Sequence, residues 1–290
     1  MNYYRLLNFA FLSLLPVFCS GSKMEPEELL WSQGHRVSWS GFEDAIKEGD
    51  SAALRLFFEA GFDSWTPTWH LRERRFLRTA IDYGHADVFC LLVEAGADFR
   101  GENSDGNYLI HSAAREGRPQ ILVFLLDQGQ NPNAAKVRAG KNSHVVLPPL
   151  FAGLIRAYNP SLSASRKLDY YSGVAALLDR GANPNWQDPR DGMTPLSWVV
   201  LNKDHAMASL LVRFGADPGI PTEKGETAIS LAACRLADIN LVEILLQGID
   251  DGPRSRLSLV NALECSRNPG IRGSIEDRLM PLKATSKGEQ

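Results

Sequence analysis

Glycine recurs at a nearly constant interval along this chain of 290 residues, each time directly after a leucine-rich run. Successive glycines are 35, 33, 52, 34 and 33 residues apart, at Gly61, Gly96, Gly129, Gly181, Gly215 and Gly248. Leucines at helical spacing before a glycine that tolerates positive φ predict a helix that ends there, and the Asp, Asn or Pro that soon follows predicts a turn. A period near 33 therefore predicts stacked repeats rather than one large core.

A second, shorter apolar stretch precedes each leucine-rich helix. In the clearest case Thr194 is predicted to cap the helix and Pro195 to lie in its first turn. Small residues recur where neighbouring helices must approach closely, at Ala45, Ala80, Ala113 and Ala232. Each unit is thus predicted to be a turn, a short helix, a tight link and a longer helix, so the fold is expected to be all-α, a solenoid of about six helix-turn-helix units.

The unit resembles the ankyrin repeat, whose pattern is G-x-TPLHxAAxxGHxxIVxxLLxxGAD. Residues 75–98 and 105–133 each match most of the marked positions without a gap, and the resemblance extends over six copies at 40–249. Three departures stand out. His111 alone keeps the histidine of the TPLH segment, and Arg78 replaces it in the second copy; Lys203 and Asp204 replace the Gly-His link in the fifth copy; and the helices of the sixth copy are displaced by one residue.

The 52-residue interval contains 19 residues more than the 33-residue period. We place these insertions at about 134–147, in a turn, and at about 159–171, between the two helices of the fourth copy. Long insertions in repeat arrays are expected to be surface loops and often lie on a binding face. The alternative is simple tolerance of length, because doubling a loop costs only about 0.6 kcal/mol. We favour tolerance for the second insertion and leave both readings open for the first, which carries Lys136, Arg138, Lys141 and His144.

Residues 1–22 have the order of a secretory signal peptide. Arg5 precedes a mostly apolar run of 13 residues from Leu6 to Phe18, and small residues follow at 19–22. This run is shorter than the roughly 20 residues that cross a bilayer as a helix. We expect a cleaved signal and a secreted or periplasmic protein, with an uncleaved anchor as the alternative. Lipidation at Cys19 is less favoured, because Phe18 precedes the cysteine where lipoprotein sites carry a small residue.

The remaining segments lie at the two ends of the array. Residues 23–39 are expected to form an N-terminal cap or linker in which Trp31 and Trp39 cover the first repeat. Residues 250–281 are expected to cap the other end, because an uncapped repeat exposes its apolar side. Residues 282–290 are expected to be a flexible tail.

Charge and motifs argue against several functions. The 31 basic residues are outnumbered by 34 acidic ones, a formal charge of −3, and this gives no basic footprint for nucleic acid. The sequence contains no G-x-S-x-G, P-loop, G-x-G-x-x-G or H-E-x-x-H motif, and its six histidines lack metal-ligand spacing. We therefore predict no enzyme, no cofactor and no metal. By the resemblance, His85 and His111 are expected to bond to the backbone.

Three cysteines remain after signal removal: Cys90, Cys234 and Cys265. Cys265 lies in the closing segment and could reach Cys234. Otherwise all three are expected to act as small apolar side chains in the packing. The sequence leaves their redox state open.

The resemblance implies that partners bind a concave strip made of the turns and the outer faces of the first helices. The candidate partner-binding residues on this strip are Trp65, Trp69, Arg72, Arg74, Tyr83, Asp105, Asn107, Arg115, Trp186, Arg190, Asp191, Met193 and Lys224. Trp65, Trp69 and Trp186 have two readings. Tryptophans in turns are either exposed anchors for a partner or rings folded back over the adjacent turn.

The function that follows is non-catalytic binding of a protein partner outside the cytoplasm by a monomer, without nucleic acid and without stable membrane insertion after signal removal. The resemblance suggests a bacterial periplasmic protein, for example an inhibitor or a toxin-neutralising protein. One alternative is an envelope scaffold or a binder of cell-wall polymer through Trp65, Trp69 and Arg72. The other is an enzyme with a site in the insertions, which offer only His144, several serines and Asp169.

Overall fold

The computed structural model describes residues 24–62, 72–101, 108–138 and 144–285. The segments predicted to be a signal peptide (1–22) and the end of the tail lie outside the described residues, as does the middle of the first insertion. The same holds for the candidate residues Trp65, Trp69, Asp105 and Asn107.

Helices dominate the described part of the chain. The helix α1 (Pro26–Ser32) comes first. Six pairs follow: α2 (Trp39–Glu48) and α3 (Ser51–Glu59), α4 (Glu73–Tyr83) and α5 (Ala86–Glu94), α6 (Leu109–Arg115) and α7 (Pro119–Asp127), α8 (Pro149–Ala157) and α9 (Ala164–Asp179), α10 (Pro195–Leu201) and α11 (His205–Arg213), and α12 (Ala228–Ser230), continued by a π-helix (Leu231–Leu236), and α13 (Ile239–Leu246). The chain ends with α14 (Pro253–Cys265) and α15 (Pro269–Thr285).

Equivalent helices of neighbouring pairs pack against each other. The first helix of each pair packs on the first helices beside it, as α4 does on α2 and α6, and the second helix packs on second helices, as α13 does on α11. A line of fully buried aromatic and aliphatic side chains runs through the stack, including Phe42, Phe76 and Leu211. The result is the predicted all-α repeat solenoid, in which each unit is stabilised by its neighbours.

The glycines of the period end the second helices as predicted, with one exception. Gly61, Gly96 and Gly181, for example, have φ between +81° and +93°. Gly248 is not left-handed, so the prediction of a positive φ is wrong there. Its lack of a side chain serves a close approach instead, because a Cβ atom would lie 3.0 Å from Val212 Cγ1.

The links between the two helices of a unit also need a left-handed residue. Gly49, Gly84 and Gly117 supply it in the first three pairs. Lys203 (φ +54°) and Ala237 (φ +51°) take the same conformation in the fifth and sixth. These two links are strained, because a side chain in this region costs about 1–2 kcal/mol.

Both insertions contain regular structure in their described parts. In the first, β1 (Lys136–Arg138) pairs antiparallel with β2 (His144–Val146). The expectation of a surface loop at 159–171 is wrong from Ala164 onward, because this part is helical. The Ser163 hydroxyl accepts from the backbone N–H of Arg166, and α9 then runs for 16 residues.

Side chains of α9 hold this helical insertion against both neighbouring links. Towards the third unit, the Tyr170 hydroxyl donates to the carbonyl oxygen of Arg115 at 2.9 Å, and Arg166 donates to that of Gly117 at 3.1 Å. Towards the fifth unit, Tyr171 donates to Asp204, which also accepts from the hydroxyl of Tyr158, the residue after α8, at 3.1 Å. The sequence analysis considered a loop on a binding face and simple tolerance of length, and neither alternative predicted that this insertion would join the units beside it.

The one-residue displacement in the sixth copy corresponds to the π-helix. Its wider turn absorbs one residue between the start of α12 and the link at Ala237. Downstream, α13 still packs on α11. The extra residue therefore changes the first helix of the sixth unit, but it does not alter how the second helix of that unit, α13, stacks on α11.

Both ends of the array are covered by helices. At the start, α1 packs on α3 through the fully buried Leu30. Trp31, expected to cover the first repeat, is 72% exposed and points away, whereas Trp39 packs against Phe62 and Phe76. At the other end, α14 and α15 pack on α12 and α13 as a further helix pair.

A disulfide between Cys234 and Cys265 joins the sixth unit to α14, with the two Cα atoms 5.5 Å apart. The structure thus favours the pairing over three unpaired thiols. Cys90 is free and half-buried, and burial raises the pKa of its thiol. No helix in the described ranges combines the length and the hydropathy that crossing a bilayer requires.

Candidate protein-binding surface

The first helices bury one side and expose the other, and together with the preceding turns they form what we call the first-helix strip. The described candidate residues of the second and third units lie on it. Tyr83 is 55% exposed at the end of α4, Arg74 is exposed near its start, and Arg72 precedes the helix half-buried. Arg115 ends α6 and pairs with Glu116 at 3.1 Å.

The candidates of the fifth and sixth units lie in two turns that contact each other. Asp191 is exposed, and its backbone carbonyl accepts from Glu223 N–H at 3.0 Å. Met193 is half-buried and donates its N–H to the Asp191 carboxylate at 2.9 Å. Lys224 is exposed in the following turn. The structure thus brings Asp191 and Met193 together. They belong to the fifth unit, whereas the arginines of α4 belong to the second.

Arg190 is engaged in holding its own turn. Its Nε donates to Asp188 Oδ1 at 2.9 Å and Oδ2 at 3.1 Å, and its Nη2 also donates to Oδ2. Asp188 is 3% exposed. Burial would raise the pKa of its carboxyl, but the hydrogen bonds from Arg190 outweigh this and lower it. Because a buried carboxylate without its partner is costly, Arg190 supports the turn whether or not it meets a partner.

Trp186 folds back over its neighbours. Its ring packs edge-on against Phe151 at 5.6 Å between centroids, and the residue is half-buried. Trp198 also packs edge-on against the same phenylalanine, with 6.5 Å between ring centroids. For Trp186, the described geometry therefore fits the second of the two readings, a ring that packs within the array.

Asparagines join successive turns, a feature that the sequence reasoning missed. Asn133 donates to the carbonyl oxygen of Gly181 at 2.9 Å and accepts from the N–H of Asn183 at 2.6 Å. Asn185 makes the same two bonds one unit further on. The repeated Asn-Pro-Asn at 131–133 and 183–185 is the signal that could have indicated them. These bonds hold the turns of the strip in register.

Two histidines of the array bond to backbone atoms, as predicted. His111 Nε2 bonds to the carbonyl oxygen of Ala134 at 2.8 Å, and its Nδ1 accepts from Tyr108 N–H at 3.2 Å. His85 Nε2 bonds to the carbonyl oxygen of Lys47 at 2.9 Å. The expectation that His85 and His111 bond to the backbone is confirmed.

A groove with a volume of about 220 Å³ lies on the strip between α4 and α6. The described residues that line it are Arg74, Arg75, Arg78, Asp98, Gly101, Tyr108, Leu109 and Ser112. Arg75 and Arg78 were not among the candidates. The signal for Arg78 was present, since it replaces the histidine of the repeat pattern.

The enzyme alternative relied on groups in the insertions. Asp169 accepts from Arg166 at 3.2 Å, and Ser163 caps α9. Both side chains therefore serve the helix. Within the part of the chain that the structure describes, no three His, Cys, Asp or Glu side chains converge as ligands of a metal do.

Comparisons with known proteins agree with this architecture. Residues 162–254 match the family model described as ankyrin repeats in three copies, and residues 105–134 match that of a single ankyrin repeat. Among curated relatives, the ankyrin repeat and LEM domain-containing protein 1 homolog of Caenorhabditis elegans is 45% identical over 71 residues, 24% of this chain. A putative ankyrin repeat-containing protein of Treponema pallidum is 27% identical over 156 residues, 54% of this chain.

A solved structure extends the likeness to most of the array. The crystal structure of the ankyrin repeat domain of Bcl-3, a member of the IkappaB protein family, has a TM-score of 0.53 at 21% identity and covers 81% of this chain and 97% of its own. The chain spans only 10% and 46% of the lengths of the two curated relatives above. The family models identify ankyrin repeats at residues 105–134 and 162–254, and the described residues form an all-α ankyrin-repeat solenoid. Repeats of this kind indicate a protein–protein interaction module.

Proposed function

We propose that this chain is a non-catalytic monomer that binds a protein partner outside the cytoplasm through its first-helix strip. The observation that carries the proposal is how the strip is built. Its exposed side chains, among them Arg74, Tyr83 and Asp191, stand on helices whose opposite sides are buried and on turns held by hydrogen bonds. Such a preordered surface loses little conformational entropy on binding.

Photo-cross-linking tests the location of the binding surface. We would place p-benzoyl-phenylalanine at Tyr83 and Asp191 on the strip and at Arg55 and Arg213 on the second helices. All four positions are exposed. Expressed in its source cells, the protein should give a discrete cross-linked product from the first two positions and none from the other two. Products from Arg55 and Arg213 alone would place binding on the opposite side, and no product at any position would count against protein binding.

Export is the second part of the proposal. It is supported by the signal-like order of residues 1–22 and by the disulfide between Cys234 and Cys265, because disulfides persist in oxidising compartments. Cell fractionation with an antibody to the chain tests it. The mature protein should appear outside the inner membrane, shortened by about the length of the predicted signal. A full-length band in the cytoplasm would contradict export.

The subfunction that we propose is inhibition of a partner enzyme or neutralisation of a toxin by occlusion. A cross-linked partner purified from the experiment above allows a direct measurement. Its activity should fall when the purified chain is added in equimolar amount, and it should return when an excess of inactive partner competes. A partner whose activity is unaffected would instead favour the role of an envelope scaffold.

A further inference from the structure

We infer that the groove between α4 and α6 receives a carboxylate side chain from an acidic segment of the partner, an inference that rests on the proposed protein-binding function. Three guanidinium groups line the groove, those of Arg74, Arg75 and Arg78, and one carboxylate among the described residues, that of Asp98. Guanidinium groups bind carboxylates through paired, charge-assisted hydrogen bonds.

Arg78 owes its position to a departure from the repeat pattern. In the next unit, His111 occupies the equivalent place, is 5% exposed, and bonds to the backbone. Arg78 is too long and too strongly charged to be buried in that manner, and about a third of its side chain is exposed. It reaches across to α6 instead, where its Nη1 donates to the Ser112 hydroxyl at 3.0 Å. The substitution thus puts a cation into the groove where the next unit has a buried structural side chain.

The described partners of Arg75 and Arg78 orient these two side chains without using all of their N–H donors. Arg78 Nε donates to Asp82 at 2.7 Å, and Arg75 Nη2 donates to Glu43 at 2.8 Å. A guanidinium has five N–H donors, so Arg75 and Arg78 have donors beyond those engaged by these described partners. Solvent reaches both guanidinium groups, because the side chain of Arg75 is 64% exposed and that of Arg78 is 34% exposed. Ion pairs at a protein surface contribute only about 0–1 kcal/mol, so a carboxylate from a partner can share these guanidinium groups at little cost.

The rest of the groove fits an amino-acid side chain rather than a phosphate backbone. Tyr108 and Leu109 give it an apolar wall, and Ser112 is already engaged by Arg78. Each of the three arginines has one described carboxylate partner, Glu43, Asp82 or Asp98. The groove therefore offers directed donors to a single carboxylate, not the extended cationic surface that a phosphate backbone requires. The carboxylate would be held by directed hydrogen bonds, and the stem of its side chain would lie against the apolar wall.

The test is a peptide titration of the full chain followed by NMR. The probe is an acetylated, amidated octapeptide with two central glutamates flanked by tyrosine and leucine, and the matched probe has two glutamines instead. The arginine Nε–H signals of Arg75 and Arg78 should shift with the glutamate peptide and not with the glutamine peptide. The signals of Arg55 and Arg213, which are exposed on second helices, should stay in place.

Variants complete the test. Arg78→His, which copies the next unit, and Arg75→Gln should each weaken binding of the glutamate peptide by about tenfold, and Arg213→Gln should not, a tenfold change being about 1.4 kcal/mol. Circular dichroism melts check that each variant folds. Equal binding of the two peptides, no shift at Arg75 and Arg78, or stronger shifts with a single-stranded oligonucleotide would overturn the inference. If the Tyr83 cross-link nevertheless persists in Arg78→His, the proposed function stands and only the groove assignment fails.

Discussion

Asn185 accepts a hydrogen bond from the backbone N–H of Asp217 at 2.7 Å and thereby joins the turn of one repeat to that of the next. Its amide also donates to the carbonyl oxygen of Gly215 at 2.8 Å. Both bonds are lost in Asn185→Ala. Because each hydrogen bond contributes about 0.5–1.5 kcal/mol, we expect the free energy of unfolding to fall by about 1–3 kcal/mol. Urea denaturation measures it. Asn202→Ala, which removes only a bond within its own helix to Trp198, is the control and should cost less.

The left-handed links predict that glycine stabilises the fifth and sixth units. Lys203→Gly and Ala237→Gly relieve a side chain at φ +54° and +51°, and each should raise the free energy of unfolding by up to about 1 kcal/mol. Thermal melts at fixed pH measure the gain. The reverse change, Gly84→Ala, should destabilise the chain, because Gly84 has a φ of +89° and a Cβ atom there would also collide with the Arg118 guanidinium. A loss of stability in Lys203→Gly would contradict this account of the link.

Reduction of the disulfide should loosen the end of the array. Cys234 and Cys265 are 31 residues apart, and closing a loop of that length is worth about 3–4 kcal/mol in the unfolded-chain model. The Tm in dithiothreitol should therefore fall below the Tm without it. Cys234→Ser with Cys265→Ser should show the lower Tm in both conditions, and Cys90→Ser should behave as the wild type does. If the wild-type Tm is the same with and without dithiothreitol, the disulfide does not form.

The charge of Asp50 predicts a loss of stability in acid. The hydrogen bond from Ala53 N–H lowers the pKa of this carboxyl below its ordinary value of 3.8, and the contact with His35 acts in the same direction, whereas burial opposes them. Because the folded-state pKa is depressed, the contribution is complete above pH 3.8 and is lost as the pH falls through the folded value.

Asp50→Asn isolates this charge, because asparagine also caps helices well. Urea midpoints at pH 7, 5, 4 and 3 should fall less steeply below pH 4 in the variant than in the wild type. Asp87→Asn, an exposed residue in the first turn of α5, is the control and should follow the wild-type curve more closely. If the urea midpoints of Asp50→Asn and the wild type fall by the same amount below pH 4, the prediction is contradicted.

The sequence allowed the repeat fold to be predicted because its signals are local. Thr194 accepts from the N–H of Ser197 as predicted for a cap, and Gly96 ends its helix at φ +93°. The helical insertion was missed because Tyr170 and Arg166 find their acceptors in the links of another unit, 49 to 55 residues away. Contacts of that range leave no period in the sequence.

The binding surface was less predictable, for a related reason. Exposure and partner are properties of the packed array, so the sequence could not show that Arg190 is bound to the buried Asp188 or that Trp186 lies on Phe151. Arg78 was visible as a departure from the pattern, but its consequence depended on Ser112 in the next unit. A departure from a repeat pattern is therefore informative once the neighbouring unit is known.

The helical insertion in the fourth unit has a consequence for how the chain opens. In a linear array, the free energy of opening is a sum of terms for the units and for the interfaces between neighbours. The bonds of Tyr170 and Tyr171 strengthen the two interfaces on either side of the fourth unit and leave the others unchanged. The third, fourth and fifth units should therefore unfold as one cooperative block, and their amide protons should exchange with solvent later than those of the first and last units.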